Sequence, residues 1–421
     1  MTRKLRFRLP ALRITPWMTW VVLLGLALAA ALAAGLLVFW KGLWITNLTD
    51  LVPWGLWITI DISAIALSAG AFSLCALVYL VGLKRYQPIA RTATFVGLIG
   101  YTMAMLSLLL DIGRPDRFWH ALVYWNSHSL LWEVTMCVML YLTVLLLEAM
   151  PILAGFPWLR KRLPRIADKM SNVHHYAPYL AIVGLALSML HQSSLGAVYG
   201  VLSARPIWYK PEMAVLFMFS ALLGGISLTL FASMLAARLT SRARINNVLV
   251  ERVAYAVAWG LVGYLYFRFW DVFAQHYTYA PGRTEGLQLL TAGPLSFNFW
   301  VLELLLGTLI PMIMLLTSYT RRNPFWRLIA LGLVVLGVIA FRWDTNLSGL
   351  LVVMSYLPGQ AAIAYTSYVP SPVELVTALG IIAYGLLAFS IGVRYLRVVD
   401  HRYAVEEKEG IRVESAETVP V

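Results

Sequence analysis

The chain has 421 residues, of which 60% are hydrophobic and only 13% are charged, and its mean hydropathy is +0.75. Soluble globular domains carry about 25% charged residues, so this composition excludes a soluble domain and indicates a polytopic membrane protein. The net charge of +13 would by number alone suit nucleic acid, but the positions of the basic residues exclude that partner.

Ten apolar runs are each long enough to cross a hydrocarbon core of about 30 Å as a helix. They predict an all-α polytopic membrane protein with an integral membrane domain over residues 1–400 and a cytoplasmic tail over 401–421. The ninth run is the only short one. In chain order the predicted spans are 16–40, 54–83, 92–112, 127–155, 176–201, 213–238, 250–272, 294–319, 324–343 and 373–397.

Most of the 33 Lys and Arg residues precede the first span, follow an even-numbered span or lie near the C-terminus. Cytoplasmic loops carry an excess of Lys and Arg, so both termini are predicted to be cytoplasmic. The loops after the odd-numbered spans then face outwards. The net charge therefore reflects membrane topology.

Seven of the ionisable residues within or at the edge of these spans fall towards the outer membrane face. A charge in the bilayer core costs about 2.5 to 3.5 kcal/mol on the insertion scale, so a cluster of charges needs mutual pairing or a ligand. These residues predict a buried site that opens outwards. They are Asp61, Asp111, Glu133, His191, Arg268, Asp271 and Glu303.

Helical periodicity groups several of these residues with other polar or aromatic side chains on single helix faces. The alternative to a binding site is that such residues are ordinary packing and interfacial side chains. The three faces are Trp54, Trp57, Asp61 and Ser68 in span two; Asn126, Ser129, Glu133 and Cys137 in span four; and Ser188, His191 and Ser194, with Gln192 adjacent, in span five.

Three local interactions have simple structural interpretations. Asp111 and Arg114 flank Gly113 and can form a pair that closes a turn. Arg268 and Asp271 are one helical turn apart and are expected to form a local ion pair. Glu374 is expected to be a solvated helix cap.

Four motifs in chain order resemble the NrfD/polysulfide-reductase membrane-subunit family, and within it the ten-span branch typified by the hydrogenase-2 membrane subunit. The resemblance is good from about residue 50 to 235, and beyond that it depends on the span pattern, Glu303 and Tyr-rich outer loops. The motifs are Pro53-Trp54-Gly55-Leu56-Trp57 with Asp61; Asp111-Ile112-Gly113-Arg114-Pro115; Asn126 to Glu133; and His191-Gln192-Ser193-Ser194-Leu195-Gly196.

The resemblance implies a haem-free subunit with two four-helix bundles, spans two to five and six to nine, in a bacterial or archaeal cytoplasmic membrane. It implies a quinone, either menaquinone or ubiquinone, bound near the outer face among membrane lipid. It also implies electron exchange with a ferredoxin-like iron–sulfur subunit on that face, and a further catalytic subunit such as a hydrogenase. Such a subunit is not expected to be catalytic alone.

Residue by residue, the family's acidic residue of span two maps onto Asp61, its loop arginine onto Arg114, its span-four glutamate onto Glu133 and its span-five histidine onto His191. Reducing a quinone requires two protons, so Asp61, Glu133 and His191 are predicted to carry the chemistry, coupled to proton transfer. The residues predicted to bind the quinone are Trp54, Trp57, Asp111, Arg114, Gln192, Ser193, Ser194, Arg268 and Glu303.

The outer loops, 113–126, 202–212, 273–293 and 344–372, are predicted to form the landing site of the iron–sulfur subunit, or else lids on their own bundle. Cys75 and Cys137 are too few for an iron–sulfur cluster of the chain's own, and no metal site is predicted. Two other function classes stay open. A haem b cytochrome needs paired histidines, whereas only His191 lies well inside a span. A secondary transporter would show midplane charges and repeated broken helices.

Overall fold

The computed structural model describes residues 15–79, 82–357, 360–396 and 398–401. Within these ranges, ten helices are long and apolar enough to cross a membrane, which confirms the predicted all-α polytopic fold. The helices are α1 Pro16–Lys41, α2 Leu56–Tyr79, α3 Gln87–Asp111, α4 Leu130–Leu153, α5 Ala177–Gly200, α6 Glu212–Leu239, α7 Asn247–Tyr277, α8 Asn298–Leu316, α9 Pro324–Leu350 and α10 Pro372–Tyr395.

Side-chain caps explain where several helices begin. The side chain of Thr15 accepts from Met18 N at the start of α1, and the side chain of Asn323 accepts from Phe325 N at the start of α9. Such caps satisfy backbone N–H groups that have no partner inside the helix. The α1, α9 and α10 helices also have proline in their first turn, where its missing N–H costs nothing.

The long helices form two four-helix bundles. Helices α2 to α5 pack in a ring in which each contacts the next and α5 returns to α2, and helices α6 to α9 form a second ring of the same kind. The two rings meet mainly through α2 and α6, with further contacts from α5 to α6 and from α2 to α9. Helices α1 and α10 pack on each other at the periphery, and α10 also packs on α3.

We call the end with the connections after even-numbered helices the inner end, because its basic residues predict that it faces the cytoplasm, and the opposite end the outer end. The outer end carries an antiparallel hairpin of β1 Val352–Leu357 and β2 Gln360–Tyr365. Arg205 holds this region in place by donating to the carbonyl oxygens of Gly349 and Val352 at 3.2 and 3.0 Å.

The predicted ninth span, 324–343, is too short. Helix α9 continues to Leu350, so the predicted outer loop 344–372 begins inside a helix. Hydropathy assigned the last two turns, residues 344–350, to a loop because they contain Asp344 and Asn346 and follow Arg342 closely. All three side chains are fully buried and face the protein interior, not lipid or water.

The segment after α10 is packed against the inner end. Thr92 Oγ1 donates to Val398 O at 2.9 Å, and a short bridge joins Arg244 to Asp400. The predicted tail starts at His401, but that side chain is buried and its Nδ1 accepts from Asn246 N at 3.0 Å. The rest of the predicted tail, 402–421, and residues 1–14 of the predicted membrane domain lie outside the described residues.

Candidate functional site

The first bundle brings together side chains from α2, α3 and α5. His191 is fully buried on α5, and its Nδ1 lies 3.1 Å from the hydroxyl of Tyr101 on α3. Asp61 on α2 is also buried and interacts electrostatically with Tyr101. Among the residues that the structure describes, no hydrogen-bond partner reaches Asp61 Oδ1 or His191 Nε2. Buried polar atoms are nearly always satisfied in native proteins, so these atoms are candidate ligand contacts.

The tautomer of His191 depends on which acceptor takes the hydrogen of the Tyr101 hydroxyl. This hydroxyl also lies 3.3 Å from Val138 O and has one hydrogen to donate. If Val138 takes that hydrogen, His191 Nδ1–H donates to Tyr101 and Nε2 is left as an acceptor. If His191 takes it, Nε2 carries the hydrogen and is left as a donor. Either form leaves Nε2 available to a ligand oxygen or hydroxyl.

Glu133 pairs with Ser194 at the outer end. Ser194 Oγ donates to Glu133 Oε1 at 2.7 Å, which joins α4 to α5. The hydroxyl of Ser193, in contrast, bonds to the carbonyl oxygens of its own helix at Met189 and Leu190. The structure therefore brings Glu133 and Ser194 together, whereas Ser193 contacts its own helix.

The two tryptophans of the stripe predicted in span two lie in different environments. Trp54 stacks on Trp208 with ring centroids 5.9 Å apart and contacts Tyr199 edge-on, so it lies against the loop between α5 and α6. Trp57 instead donates from Nε1 to Thr377 Oγ1 on α10 at 2.8 Å. Its ring belongs to a cluster with Val38, Leu110 and Ile381, which lies between α1, α3 and α10.

The turn after α3 also differs from the prediction. Asp111 is half-buried at the end of α3 with Oδ1 unpartnered among the described residues, and it interacts electrostatically with Asp61. Arg114 pairs with Asp116 at 3.0 Å and not with Asp111 as predicted. The positive φ of Gly113 turns the chain there, and Arg114 is exposed to solvent. Its guanidinium lowers the pKa of the Asp116 carboxyl through a hydrogen bond.

Helix α9 contributes residues that the sequence analysis did not find. Asn346 donates from Nδ2 to Trp54 O at 2.8 Å and to Thr59 Oγ1 at 3.2 Å, and its Oδ1 accepts from Tyr199 at 3.1 Å. Arg342 lies one helical turn earlier and contacts Gln192. The available signal was the spacing of Arg342, Asp344 and Asn346, three polar residues that follow an apolar helical run without a proline or glycine between them.

A second charged cluster occupies the second bundle. Arg268 donates to both carboxylate oxygens of Glu303, at 2.7 and 3.2 Å, and to Asp271 at 2.5 Å, which confirms the predicted Arg268–Asp271 pair. Lys210 pairs with Asp271 as well, and Tyr264 donates to Glu303 at 3.0 Å. Burial lowers the pKa of Lys210, and Asp271 opposes that shift. Arg268 and Glu303, predicted as quinone contacts, therefore lie in this cluster with their charges paired.

Two cavities lie at opposite ends of the protein. The inner cavity has a volume of about 340 Å³ at the inner end of the first bundle, and its lining includes Thr94, Glu148 and His174. The outer cavity has a volume of about 200 Å³ and reaches Lys210 and Asp271 in the second bundle. Asp61, Glu133 and His191 are not among the residues that line either cavity.

No group of three or more potential metal ligands occurs within the described ranges of the chain. Cys75 and Cys137 are both free and buried. A quinone head group needs hydrogen-bonding groups for its two carbonyl oxygens and an apolar slot for the ring between them. Asp61 and His191 offer the first, and the ring of Trp54 offers part of the second, so the residues present suit such a group.

Comparison with known proteins identifies the family. Residues 44–354 match the family described as "Polysulphide reductase, NrfD". The chain belongs to the NrfD family. As an NrfD-family protein it shares 31% identity over 406 residues with "Menaquinone reductase, integral membrane subunit" of Nitratidesulfovibrio vulgaris, an alignment that covers 94% of this chain and 95% of that protein.

Two further relatives of this NrfD-family chain are named as subunits of oxidoreductases. "Hdr-like menaquinol oxidoreductase integral membrane subunit" of Archaeoglobus fulgidus is 27% identical over 86% of this chain and 89% of its own length. "Probable Ni/Fe-hydrogenase 2 b-type cytochrome subunit" of Escherichia coli is 25% identical over 84% of this chain and 86% of its own length. The predicted family membership is confirmed, and the ten candidate spans indicate a multi-pass membrane protein.

Proposed function

We propose that this chain binds a quinone in the outer half of its first bundle and exchanges electrons between the membrane quinone pool and an iron–sulfur subunit at the outer end. The observation that carries the proposal is the buried group of Asp61, Tyr101 and His191, in which Asp61 Oδ1 and His191 Nε2 have no partner among the described residues. Two relatives that are named for menaquinone or menaquinol support it.

The chemistry assigns a role to each residue. Quinone reduction consumes two electrons and two protons. His191 would bond one carbonyl oxygen through Nε2, while Tyr101 fixes the orientation of the imidazole from Nδ1. Asp61 would hold or deliver a proton at Oδ1, with Asp111 nearby in the same electrostatic group. Glu133, bonded to Ser194, would exchange protons at the outer end of this network.

The outer end also suits a partner protein. Large aromatic side chains are exposed there on or next to each connection that precedes α2, α4 or α8, and exposed apolar patches of this kind mark protein or membrane interfaces. We propose that the iron–sulfur subunit docks on these side chains, with a catalytic subunit beyond it. They are Trp44, Phe118, Tyr124, Trp125, Tyr277 and Tyr279.

The first test is quenching of tryptophan fluorescence by a quinone analogue, with purified wild type beside Asp61→Asn, His191→Ala and Ser193→Ala. We expect saturable binding that Asp61→Asn and His191→Ala weaken and that Ser193→Ala leaves unchanged, because the Ser193 hydroxyl bonds only its own helix among the described residues. Failure of folded wild type to bind would favour a transporter. A b-type band in a reduced-minus-oxidised spectrum would revive the haem alternative.

We further propose that protons reach this site from the inner cavity. Glu148 lines the cavity, and its Oε2 lies 3.4 Å from Thr94 Oγ1. Polar rings lead on towards the site: Tyr141 packs on Tyr101 with ring centroids 5.0 Å apart, and Tyr101 contacts His191. This sequence of groups supports proton entry from the cytoplasmic side over the alternative of plain packing residues.

Proton uptake can be measured on the complex with its native partners in proteoliposomes that contain a pH-sensitive dye. We expect Glu148→Gln to slow proton uptake from the inner side. The matched control is Glu251→Gln, because Glu251 lies at the same end of the second bundle and is paired with Arg321 at 3.4 Å. Equal slowing by both variants, or unchanged uptake in Glu148→Gln, would remove the proposed route.

A further inference from the structure

Arg342 is a fully buried arginine in the outer half of α9. Its Nη2 donates to Phe217 O at 2.8 Å, to Ser220 Oγ at 3.1 Å and to Gln192 Oε1 at 3.4 Å. The guanidinium carbon also lies 3.6 Å from the ring centroid of Phe217. These contacts fix the guanidinium between the second bundle and α5 of the first.

The charge of Arg342 has no carboxylate partner within 4 Å in the part of the chain that the structure describes. Its Nε and Nη1 atoms also lack hydrogen-bond partners there. A buried charge without a counter-charge is strongly unfavourable. Arg268, in the same bundle, shows the usual solution, since two carboxylates pair with it.

The surroundings of Arg342 connect it to the candidate site. Gln192, which it contacts, follows His191 directly in α5, and Gln192 Nε2 is itself unpartnered among the described residues. Tyr199 interacts electrostatically with both Asp61 and Arg342. The unpaired positive charge therefore borders the same group of residues as the unpartnered atoms of Asp61 and His191.

We propose that Arg342 is a charge-bearing binding residue of this site and stabilises negative charge on a ring oxygen of the ligand. The inference rests on the proposed quinone function and deepens it. A guanidinium bonds an anionic oxygen more strongly than a neutral one, because charge-assisted hydrogen bonds are roughly twice as strong as neutral ones. The site therefore prefers a quinonoid ring with a deprotonated oxygen over its neutral counterpart.

The test compares two probes at neutral pH: 1,4-naphthoquinone, which is neutral, and 2-hydroxy-1,4-naphthoquinone, which is an anion. Dissociation constants are measured by tryptophan quenching on the full chain for wild type, Arg342→Gln, Arg342→Lys and Arg327→Gln. Arg327 is the matched control, since it is equally buried on the same helix but lies at the inner end and bonds Arg321 O and Asn247 Oδ1.

We expect Arg342→Gln to weaken binding of the anionic probe by about 10- to 100-fold, which is the range expected for a hydrogen bond to a charged group. Binding of the neutral probe should weaken far less. Arg342→Lys should restore part of the difference, and Arg327→Gln should leave the ratio of the two constants at its wild-type value. Equal weakening of both probes by Arg342→Gln would mean that Arg342 acts only through packing and would overturn the inference.

The two proposals fail in different ways. If wild type binds neither probe, the quinone function and this inference are both wrong. Suppose instead that wild type binds the probes and that Asp61→Asn or His191→Ala weakens this binding. If Arg342→Gln then leaves the ratio of the two dissociation constants unchanged, only the role of Arg342 is wrong.

Discussion

Gly225 on α6 lies against Gly70 on α2, where the two bundles meet. A Cβ atom added to Gly225 would lie 2.6 Å from Gly70 Cα and 2.1 Å from Ala71 N. A Cβ atom added to Gly70 would lie 1.7 Å from Ala221 O. Small residues let membrane helices approach closely, and here the backbones themselves are in contact, so no larger residue fits at either position.

We expect Gly225→Ala to separate α2 from α6 and to destabilise the protein by about 3 kcal/mol or more, at the upper end of overpacking effects, because the clash is with backbone. The measurement is the midpoint of thermal unfolding in detergent. Gly25→Ala on α1 is the control, since nothing lies within 4 Å of its added Cβ. If Gly225→Ala and Gly25→Ala have the same unfolding midpoint, the bundles can move apart without cost and the Gly225–Gly70 contact is not essential.

Arg268 should be essential to the second bundle. Arg268→Met leaves the buried carboxylates of Glu303 and Asp271 without their shared cation, which is expected to cost about 3 to 5 kcal/mol. Adding Glu303→Gln should recover part of that loss, because it removes one uncompensated charge. Thermal unfolding of the single and double variants measures this coupling. The control is Arg114→Met, which should leave the unfolding midpoint unchanged because Arg114 and Asp116 form an exposed pair. If the effects of Arg268→Met and Glu303→Gln on stability simply add in the double variant, the coupling is contradicted.

Tyr368 connects the outer loop to two helices. Its hydroxyl accepts from Leu56 N at 2.8 Å and donates to the carboxylate of Glu374. Burial and this carboxylate raise the pKa of Tyr368, so the hydroxyl keeps its proton at working pH. We expect Tyr368→Phe to cost about 1 to 3 kcal/mol in thermal unfolding. Tyr365→Phe, whose residue is 58% exposed, is the control, and an equal effect of both would contradict this role.

The segment after α10 should detach in acid. Burial lowers the pKa of His401 to about 4, against about 6.5 in an unfolded chain. The detached segment therefore binds more protons between these values, so docking is strongest above about pH 6.5 and weakens as the pH falls towards 4. A protonated Nδ1 also cannot accept from Asn246 N.

Hydrogen–deuterium exchange of a peptide that contains residues 398–401, corrected for intrinsic rates, measures this docking at pH 7.5 and pH 5. We expect faster exchange at pH 5 in wild type and no such pH dependence in His401→Gln. A wild-type exchange rate that does not change with pH would show that His401 does not control the segment.

Long apolar runs predicted the ten helices and ordered motifs predicted the family, because both are local signals, and the two bundles followed from the resemblance to that family. Sequence alone could not predict which residues meet across the bundles. The predicted outer-face cluster is two groups: Asp61 and His191, each next to Tyr101, in the first bundle, and Arg268 with Glu303 in the second. A charge at a given depth shows that a partner is needed, but not which helix supplies that partner.

Other differences have the same cause. Glu374, predicted to be a solvated cap, does cap α10 through Ser371 but is fully buried, because Asn47 N and Tyr368 also bond to its carboxylate. Arg342 was placed in the last turn of the predicted ninth span without a role, and Asn346 was assigned to a loop, because a hydropathy window ends a span at the first polar residues. Their interior position becomes visible only when α5 and α6 are packed around them.

The pairing of α1 with α10 has a consequence for biosynthesis. Helix α1 leaves much of its surface exposed, and its main partner α10 begins only at Pro372. At about 5 to 20 residues per second, a ribosome completes α10 tens of seconds after α1 has been inserted. During that interval α1 lacks its main partner, so it can complete its packing only after α10 has been inserted.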